Sequence, residues 1–99
     1  MPVAPRPRRG EIWAVSPGSR RVLVFSGNML NDIDDEHVVT MEVIEHPVPL
    51  SVATGSGGWV RYTWLDHVPK ESLTRQLGEV PEELMQRLST RLFMVIATD

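Results

Sequence analysis

Two arginines, Arg20 and Arg21, follow directly after a tight turn formed by residues 16–19, which include a proline and a glycine. Proline fixes φ and glycine accepts positive φ, so this stretch is typical of a turn between two strands. A guanidinium group binds phosphate oxygens through two parallel hydrogen bonds. Paired arginines at a turn therefore predict an anion-binding surface, for which Ser26 and Asn28 in the next loop are further polar candidates.

A third arginine, Arg61, lies in the segment 59–64, where successive side chains alternate between two faces. The same segment contains three aromatic residues, Trp59, Tyr62 and Trp64, and the hydroxyl of Thr63. The alternation predicts a strand. Core packing is the expected role of at least two of the three aromatic rings, and stacking on a nucleobase stays open for the third.

Acid–base candidates stand at the end of another predicted strand, where Glu45 and His46 precede a proline. A carboxylate accepts a proton and an imidazole shuttles one near neutral pH. Each of the two, taken alone, equally fits an ordinary surface position. The acidic residues 32–36 lack the glycine and glutamate spacing of an EF-hand, so we expect a solvated loop, no metal site and no cofactor.

Composition narrows the classes of function. The 99 residues fit one domain. Of these, 41% are apolar and 23% charged, which is ordinary for a globular protein. There is no run of about 18 apolar residues that would predict a membrane span. Nucleic-acid binding would need a local patch, because the net charge is −3. The absence of cysteine excludes disulfides and thiolate metal sites and fits a cytoplasmic location.

The order of predicted elements favours a mainly β fold with a C-terminal α-helix. Residues 1–8 form a basic, proline-rich arm, expected to be flexible, and residues 9–99 form one domain. Strands are predicted over the hairpin 10–28 and over 37–45, 50–53 and 59–64, a short helix from residue 69 to before Gly78, and a longer helix over 81–96. One face of the third strand, Val39, Met41 and Val43, looks too apolar for a single helix to cover, which predicts a homodimer.

In the order and spacing of its motifs, the sequence resembles the MazF/PemK growth-inhibitor toxins of toxin–antitoxin pairs. The motifs are Arg9-Gly10-Glu11-Ile12-Trp13, residues 20–26, Asn31, Gly58-Trp59-Val60-Arg61, and the segment from Leu73 to Leu92 with Gly78 and Pro81. The resemblance implies an SH3-like barrel with a C-terminal helix and a homodimer. It also implies metal-independent, sequence-specific cleavage of single-stranded RNA to 2′,3′-cyclic phosphate and 5′-hydroxyl ends, and inhibition by the disordered acidic segment of a cognate antitoxin.

The same resemblance assigns roles and exposes departures. Arg20 matches the catalytic arginine, Arg61 a second basic position used by part of the family, and Thr63 a position that is acidic in some members. Arg21 replaces a proline, the turn is short, and Ile44 stands where the strand normally ends in a catalytic Thr or Ser. The site is therefore either rebuilt, with Glu45 as base and His46 as proton shuttle, or degraded, leaving a barrel that binds protein or RNA without cleaving it.

Overall fold

The computed structural model describes residues 5–97, which form a six-stranded antiparallel sheet and two α-helices. The sheet order is β4-β5-β3-β2-β1-β6. The elements are β1 (Glu11–Val15), β2 (Arg20–Val24), α1 (Asn28–Ile33), β3 (His37–Ile44), β4 (Ser51–Ala53), β5 (Trp59–Pro69), a 3-10 turn (Lys70–Ser72), β6 (Leu73–Glu79) and α2 (Glu82–Ala97). The predicted class, a mainly β, SH3-like barrel with a C-terminal helix, is confirmed.

The first hairpin forms as its sequence predicts. Val15 pairs with Arg20 and Trp13 with Val22, and Gly18 takes a φ of 95° in the turn between them. That conformation favours glycine because a Cβ atom would be strained there. Arg20 directly follows this turn and is the first residue of β2.

Strand β3 is central, and its burial corrects one prediction. Met41 and Val43 are 0% and 5% exposed in the larger core cluster, while Val38 is buried in a smaller cluster on the other side. The face of Val39, Met41 and Val43 is therefore not an exposed apolar surface, and that argument for a dimer was wrong. It failed because β3 lies between β2 and β5, with side chains of the fold packed on both of its faces.

Helix α2 closes the larger core cluster and packs against β5. Its buried residues, Leu84, Met85, Leu88 and Leu92, recur every three to four positions, and Glu82 and Glu83 stand in its first turn, where the helix dipole favours acids. Val95, which continues the apolar spacing, is exposed. No helix within residues 5–97 has the length and the apolar character needed to span a membrane.

The segment after β5 differs from the predicted short helix. The chain makes a 3-10 turn over Lys70–Ser72 and then continues as β6, which pairs with the edge of β1. The ammonium group of Lys70 holds the turn by donating to the carbonyls of Asn31 and Asp34, at 2.6 and 2.5 Å. Pairing with a strand 58 to 68 residues away overrides the local preference, since strand formation depends on the partner edge more than on the segment itself.

The acidic loop makes protein contacts. Asp32 forms an ion pair with Arg8 at 2.6 Å, and the carboxylate of Asp34 accepts hydrogen bonds from the backbone N–H groups of Glu36 and His37. These two bonds lower the pKa of Asp34 below its usual range. Pro7 is buried, so the predicted arm contacts the barrel from Pro7 onward, while its residues 1–4 lie outside the described residues.

Candidate functional site

Strand β5 carries a bulge where it passes β3. Met41 pairs with Leu65, but the next residue of β3, Glu42, pairs with Arg61, so residues 62–64 are inserted in β5 relative to β3. A bulge bends its strand and redirects side chains. Tyr62 is buried in the larger core cluster at 3% exposure, whereas Trp64 is 54% exposed. Because of the bulge, Tyr62 packs in the core while Trp64, two residues later, is exposed to solvent.

An open cavity of about 540 Å³ lies at this bulge, with walls from β2, β3 and β5. Its volume falls in the range of small-ligand sites. The lining side chains include one cation, two carboxylates, two hydroxyls and an indole. They are Arg20, Val22, Thr40, Glu42, Thr63, Trp64, Leu65 and Asp66.

Strand register brings Glu42 between two arginines. Glu42 pairs directly with Val22 on β2 and with Arg61 on β5. Arg20 lies two residues before Val22, hence on the same face and diagonal to Glu42. Diagonal neighbours in an antiparallel pair are about 7–8 Å apart, which long side chains span. A carboxylate and two guanidinium groups therefore share one face of three adjacent strands.

The cation of the cavity has an acidic partner. One guanidinium nitrogen of Arg20 (Nη2) lies 3.8 Å from Oδ2 of Asp66, and both side chains are more than half exposed. An exposed ion pair of this kind contributes little to stability. An anionic ligand therefore displaces Asp66 from Arg20 at small cost, and Arg20 is positioned to bind it.

Thr40 lines the cavity, but its hydroxyl oxygen is buried. The residue is 1% exposed, and its Oγ1 has no hydrogen-bond partner among the described residues. Buried polar atoms are almost always satisfied, and a buried water molecule is the usual partner where the chain supplies none. Thr40 pairs with Asp66 across β3 and β5, which puts the hydroxyl beside the Arg20–Asp66 pair.

Arg61 is not among the lining residues but contacts Trp64, which is one of them. The guanidinium carbon is 3.8 Å from the centroid of the Trp64 ring. A cation over an indole face is attracted by the ring's quadrupole. This contact holds the exposed indole at the mouth of the cavity.

Solved structures similar to this chain include two described as endoribonucleases and others described as MazF. An endoribonuclease from Mycobacterial species has a TM-score of 0.82 at 24% identity, covering 97% of this chain and 96% of that one. A Mycobacterial endoribonuclease in complex with its cognate antitoxin has a TM-score of 0.80 at 25% identity, covering 94% and 97%. MazF from Deinococcus radiodurans has a TM-score of 0.74 at 18% identity, covering 95% and 99%.

The chain has the MazF fold. The likeness extends over nearly the whole chain, as the motifs of the sequence implied. No protein-family model matches the sequence, and no curated protein sequence does either.

Within the MazF fold, two of the four predicted catalytic residues meet in the cavity. Arg20 and Thr63 both line it, and Arg61 lies beside it under Trp64. Glu45 follows the end of β3, is exposed, and is not among the lining residues. Its catalytic role therefore stays a prediction.

The four residues predicted to bind RNA are dispersed. Arg21 is half-buried and donates to the carbonyl of Gly57 at 3.4 Å. Ser26 is buried, and its hydroxyl accepts a hydrogen bond from the N–H of Val39, while Asn28 accepts one from the N–H of Arg9. His46 is exposed beyond β3. The structure brings none of the four into the lining of the cavity.

Sequence reasoning did not single out three lining residues, Thr40, Glu42 and Asp66. The signal for Glu42 was its position among apolar residues inside β3, on the same face as Thr40, where a carboxylate is unusual. Asp66 gave no comparable signal, because it was assigned to a connection and not to a strand. In the described part of the chain, no group of three or more His, Asp or Glu side chains is arranged to hold a metal ion.

We expect Thr40→Val to stabilise the protein. Valine keeps the β-branched shape and removes a buried hydroxyl without a partner, which should raise the free energy of unfolding by about 1 kcal/mol. In a domain of this size that is roughly 4–8 °C in melting temperature. Thermal unfolding measures the effect.

The matched control is Thr54→Val. Thr54 is also buried, but its hydroxyl accepts a hydrogen bond from the N–H of Ser56 at 3.2 Å, so its loss should destabilise the chain. A lower melting temperature for Thr40→Val would mean that the hydroxyl at position 40 has a partner, such as a buried water molecule.

Proposed function

We propose that this protein is an endoribonuclease that cleaves single-stranded RNA at the cavity beside Arg20, without a metal ion. The observation that carries the proposal is the lining of that cavity, in which the cation of Arg20, two carboxylates and the half-buried residue Thr63 converge. Further support comes from the 25%-identical structure described as an endoribonuclease in complex with its cognate antitoxin.

The reaction we assign is attack of the ribose 2′-hydroxyl on the adjacent phosphate. Arg20 binds the phosphoryl oxygens, on which negative charge develops, and Thr63 adds a hydrogen bond. Glu42 takes the proton from the 2′-hydroxyl, the O2′–P bond forms and the P–O5′ bond breaks. The leaving 5′-oxygen takes up a proton from solvent in the open cavity, and the products are a 2′,3′-cyclic phosphate and a 5′-hydroxyl.

We choose Glu42 as the base because it lies on the same face as Arg20, diagonal to it, with Arg61 directly opposite. The competing base is Glu45, which the sequence suggested as a replacement for the hydroxyl lost at Ile44. Arg61 acts on the negative charge of the substrate and holds Trp64, and the RNA-binding roles of Arg21, Ser26, Asn28 and His46 are secondary proposals. No cofactor takes part in this scheme.

The substrate we propose is single-stranded because the cavity contacts one nucleotide from several sides. Base-paired RNA offers proteins its phosphates and 2′-hydroxyls but keeps its bases stacked, whereas unpaired nucleotides are free to turn toward a protein surface. The sequence preference of the cleavage is a property of residues around the cavity and is also part of this proposal.

We further propose that a cognate antitoxin inhibits the protein through a disordered acidic segment. The neighbouring structure with its antitoxin supports the existence of such a partner. Carboxylates of the segment would compete with RNA phosphate for Arg20, whose ion pair with Asp66 is exposed and easily exchanged.

We expect the protein to be a homodimer in which the end of α2 contributes to the interface. Phe93 and Ile96 are 66% and 70% exposed there, and exposed apolar clusters mark contact surfaces. Sedimentation at micromolar concentration should give about twice 11.2 kDa. Phe93→Glu should reduce the mass to that of a monomer, while Met29→Glu, on the exposed side of α1, should not. A wild-type mass of 11.2 kDa would contradict the dimer, and dissociation by Met29→Glu alone would contradict the interface.

The proposed function is tested by incubating the wild-type protein with an unstructured RNA and with a fully paired duplex, each in excess EDTA. The unstructured RNA should be cleaved and the duplex spared. Binding of the RNA without cleavage would favour the alternative of a non-catalytic binding module. Cleavage that EDTA abolishes would contradict the metal-free mechanism.

A further inference from the structure

Trp64 is an exposed aromatic residue in the wall of the cavity. The residue is 54% exposed, although Tyr62, two residues earlier on the same strand, is 3% exposed in the core. The bulge at residues 62–64 is the cause, since it turns the indole out of the sheet and onto the wall of the cavity. A buried position would have stabilised the fold by removing apolar area from water. An aromatic ring kept exposed at a cavity indicates a ligand with its own flat, apolar face.

The indole is also held in one orientation. The guanidinium of Arg61 covers one face of the ring, with its central carbon 3.8 Å from the ring centroid. This contact leaves the other face for a ligand and reduces the conformational freedom that would be lost on binding. A ring supported from behind by a cation is a rigid surface for stacking.

The neighbouring groups decide what stacks there. Arg20 lies in the wall of the same cavity and is suited to a phosphate, and the hydroxyl of Thr63, another lining residue, is suited to a sugar or phosphate oxygen. A ligand that joins a flat aromatic group to an anion and to hydroxyls is a nucleotide. Proteins that hold single strands combine in this way a cationic path for the backbone with aromatic rings for the bases.

We propose that Trp64 is a nucleobase-stacking subsite, which holds an unpaired base next to the phosphate bound at Arg20. The proposal rests on the substrate class of the proposed function, and it assigns to Trp64 affinity and positioning. Stacking accepts every base, because each has a π face, so this subsite does not select the sequence that is cleaved.

The test uses a single-stranded deoxyoligonucleotide, which has no 2′-hydroxyl and cannot be cleaved by the proposed route. Binding is measured by fluorescence anisotropy for the wild type, Trp64→Ala and Trp64→Phe. Loss of one stacked base should weaken binding by about 5- to 100-fold in Trp64→Ala. Phenylalanine retains a stacking face and should keep the affinity within about threefold of the wild type. Met29→Ala, at a 79% exposed position on α1, serves as the control and should bind as the wild type does.

A second probe, the same oligonucleotide with abasic sites, separates stacking from other contacts. The wild type should bind it more weakly, and Trp64→Ala should bind it as the wild type does, because there is no base to stack. Equal binding of the intact probe by the wild type and Trp64→Ala would overturn the proposal. So would equal loss in Trp64→Phe and Trp64→Ala, since that would point to packing instead of stacking.

Cleavage assays distinguish a failure here from a failure of the proposed function. With an RNA substrate, Trp64→Ala should raise KM and leave kcat nearly unchanged, as expected when binding common to the ground and transition states is removed. A wild type that binds the probe through Trp64 but cleaves no RNA would retain the stacking subsite and refute the nuclease. A wild type that cleaves RNA with the same KM as Trp64→Ala would retain the nuclease and refute the stacking subsite.

Discussion

Replacing Arg20 by alanine should lower the rate of RNA cleavage by a factor on the order of 100 or more. Arg20 is the first residue of β2, directly after a tight turn, and it lines the cavity, so in the proposed mechanism its guanidinium would stabilise the charge that develops on the phosphoryl oxygens. Its ion pair with Asp66 is more than half exposed, so the substitution should cost about 0.2–1 kcal/mol of stability at most. Single-turnover cleavage and thermal unfolding measure the two quantities.

Two further variants sharpen this result. Arg20→Lys keeps the positive charge but loses the bidentate geometry, so its rate should fall between those of the wild type and Arg20→Ala. Arg75→Ala removes an exposed arginine from β6, away from the cavity, and should leave the rate unchanged. An unchanged rate in Arg20→Ala would move the chemistry elsewhere. A large decrease in the melting temperature of that variant would show that Arg20 has a structural role.

The second large effect is expected at Glu42. Glutamine keeps the size of the side chain and removes its affinity for a proton, so Glu42→Gln should lower kcat by about 10²–10⁴-fold, the usual contribution of a positioned general base. The reason to expect this at residue 42 is its place diagonal to Arg20 and opposite Arg61.

Glu45→Gln is the matched comparison, because Glu45 is the carboxylate that the sequence suggested and it lies three residues away on the same segment. It should cleave at nearly the wild-type rate. If instead Glu45→Gln is inactive and Glu42→Gln is active, the base is the one predicted from the sequence, and the cavity at the bulge is not where the proton is transferred.

Local patterns were sufficient for the parts of the fold that depend on neighbouring residues. The turn before Arg20 and the spacing of Leu84, Leu88 and Leu92 predict the first hairpin and α2 because both are specified within a few residues. Strand β6 was predicted as a helix since its partner, the edge of β1, is distant in sequence. The burial of Met41 likewise depends on which strands flank β3, and a single strand's alternation does not contain that information.

The residues of the candidate site also differ in whether local sequence was enough to predict them. Arg20 was predictable from the turn that precedes it, and Thr63 and Arg61 from the resemblance to MazF. The association of Glu42, Thr40 and Asp66 was not, because it depends on the register between β3 and β5 and on the three residues inserted at the bulge.

The end groups produced by the wild-type protein test most directly whether the cavity at Arg20 cleaves RNA through the 2′-hydroxyl. An unstructured RNA incubated in excess EDTA should yield 2′,3′-cyclic phosphate and 5′-hydroxyl ends, identified by mass spectrometry. Placing a 2′-deoxy nucleotide at a mapped cleavage position should stop cleavage there. Products with 3′-hydroxyl and 5′-phosphate ends, or unchanged cleavage at the deoxy position, would contradict attack by the ribose.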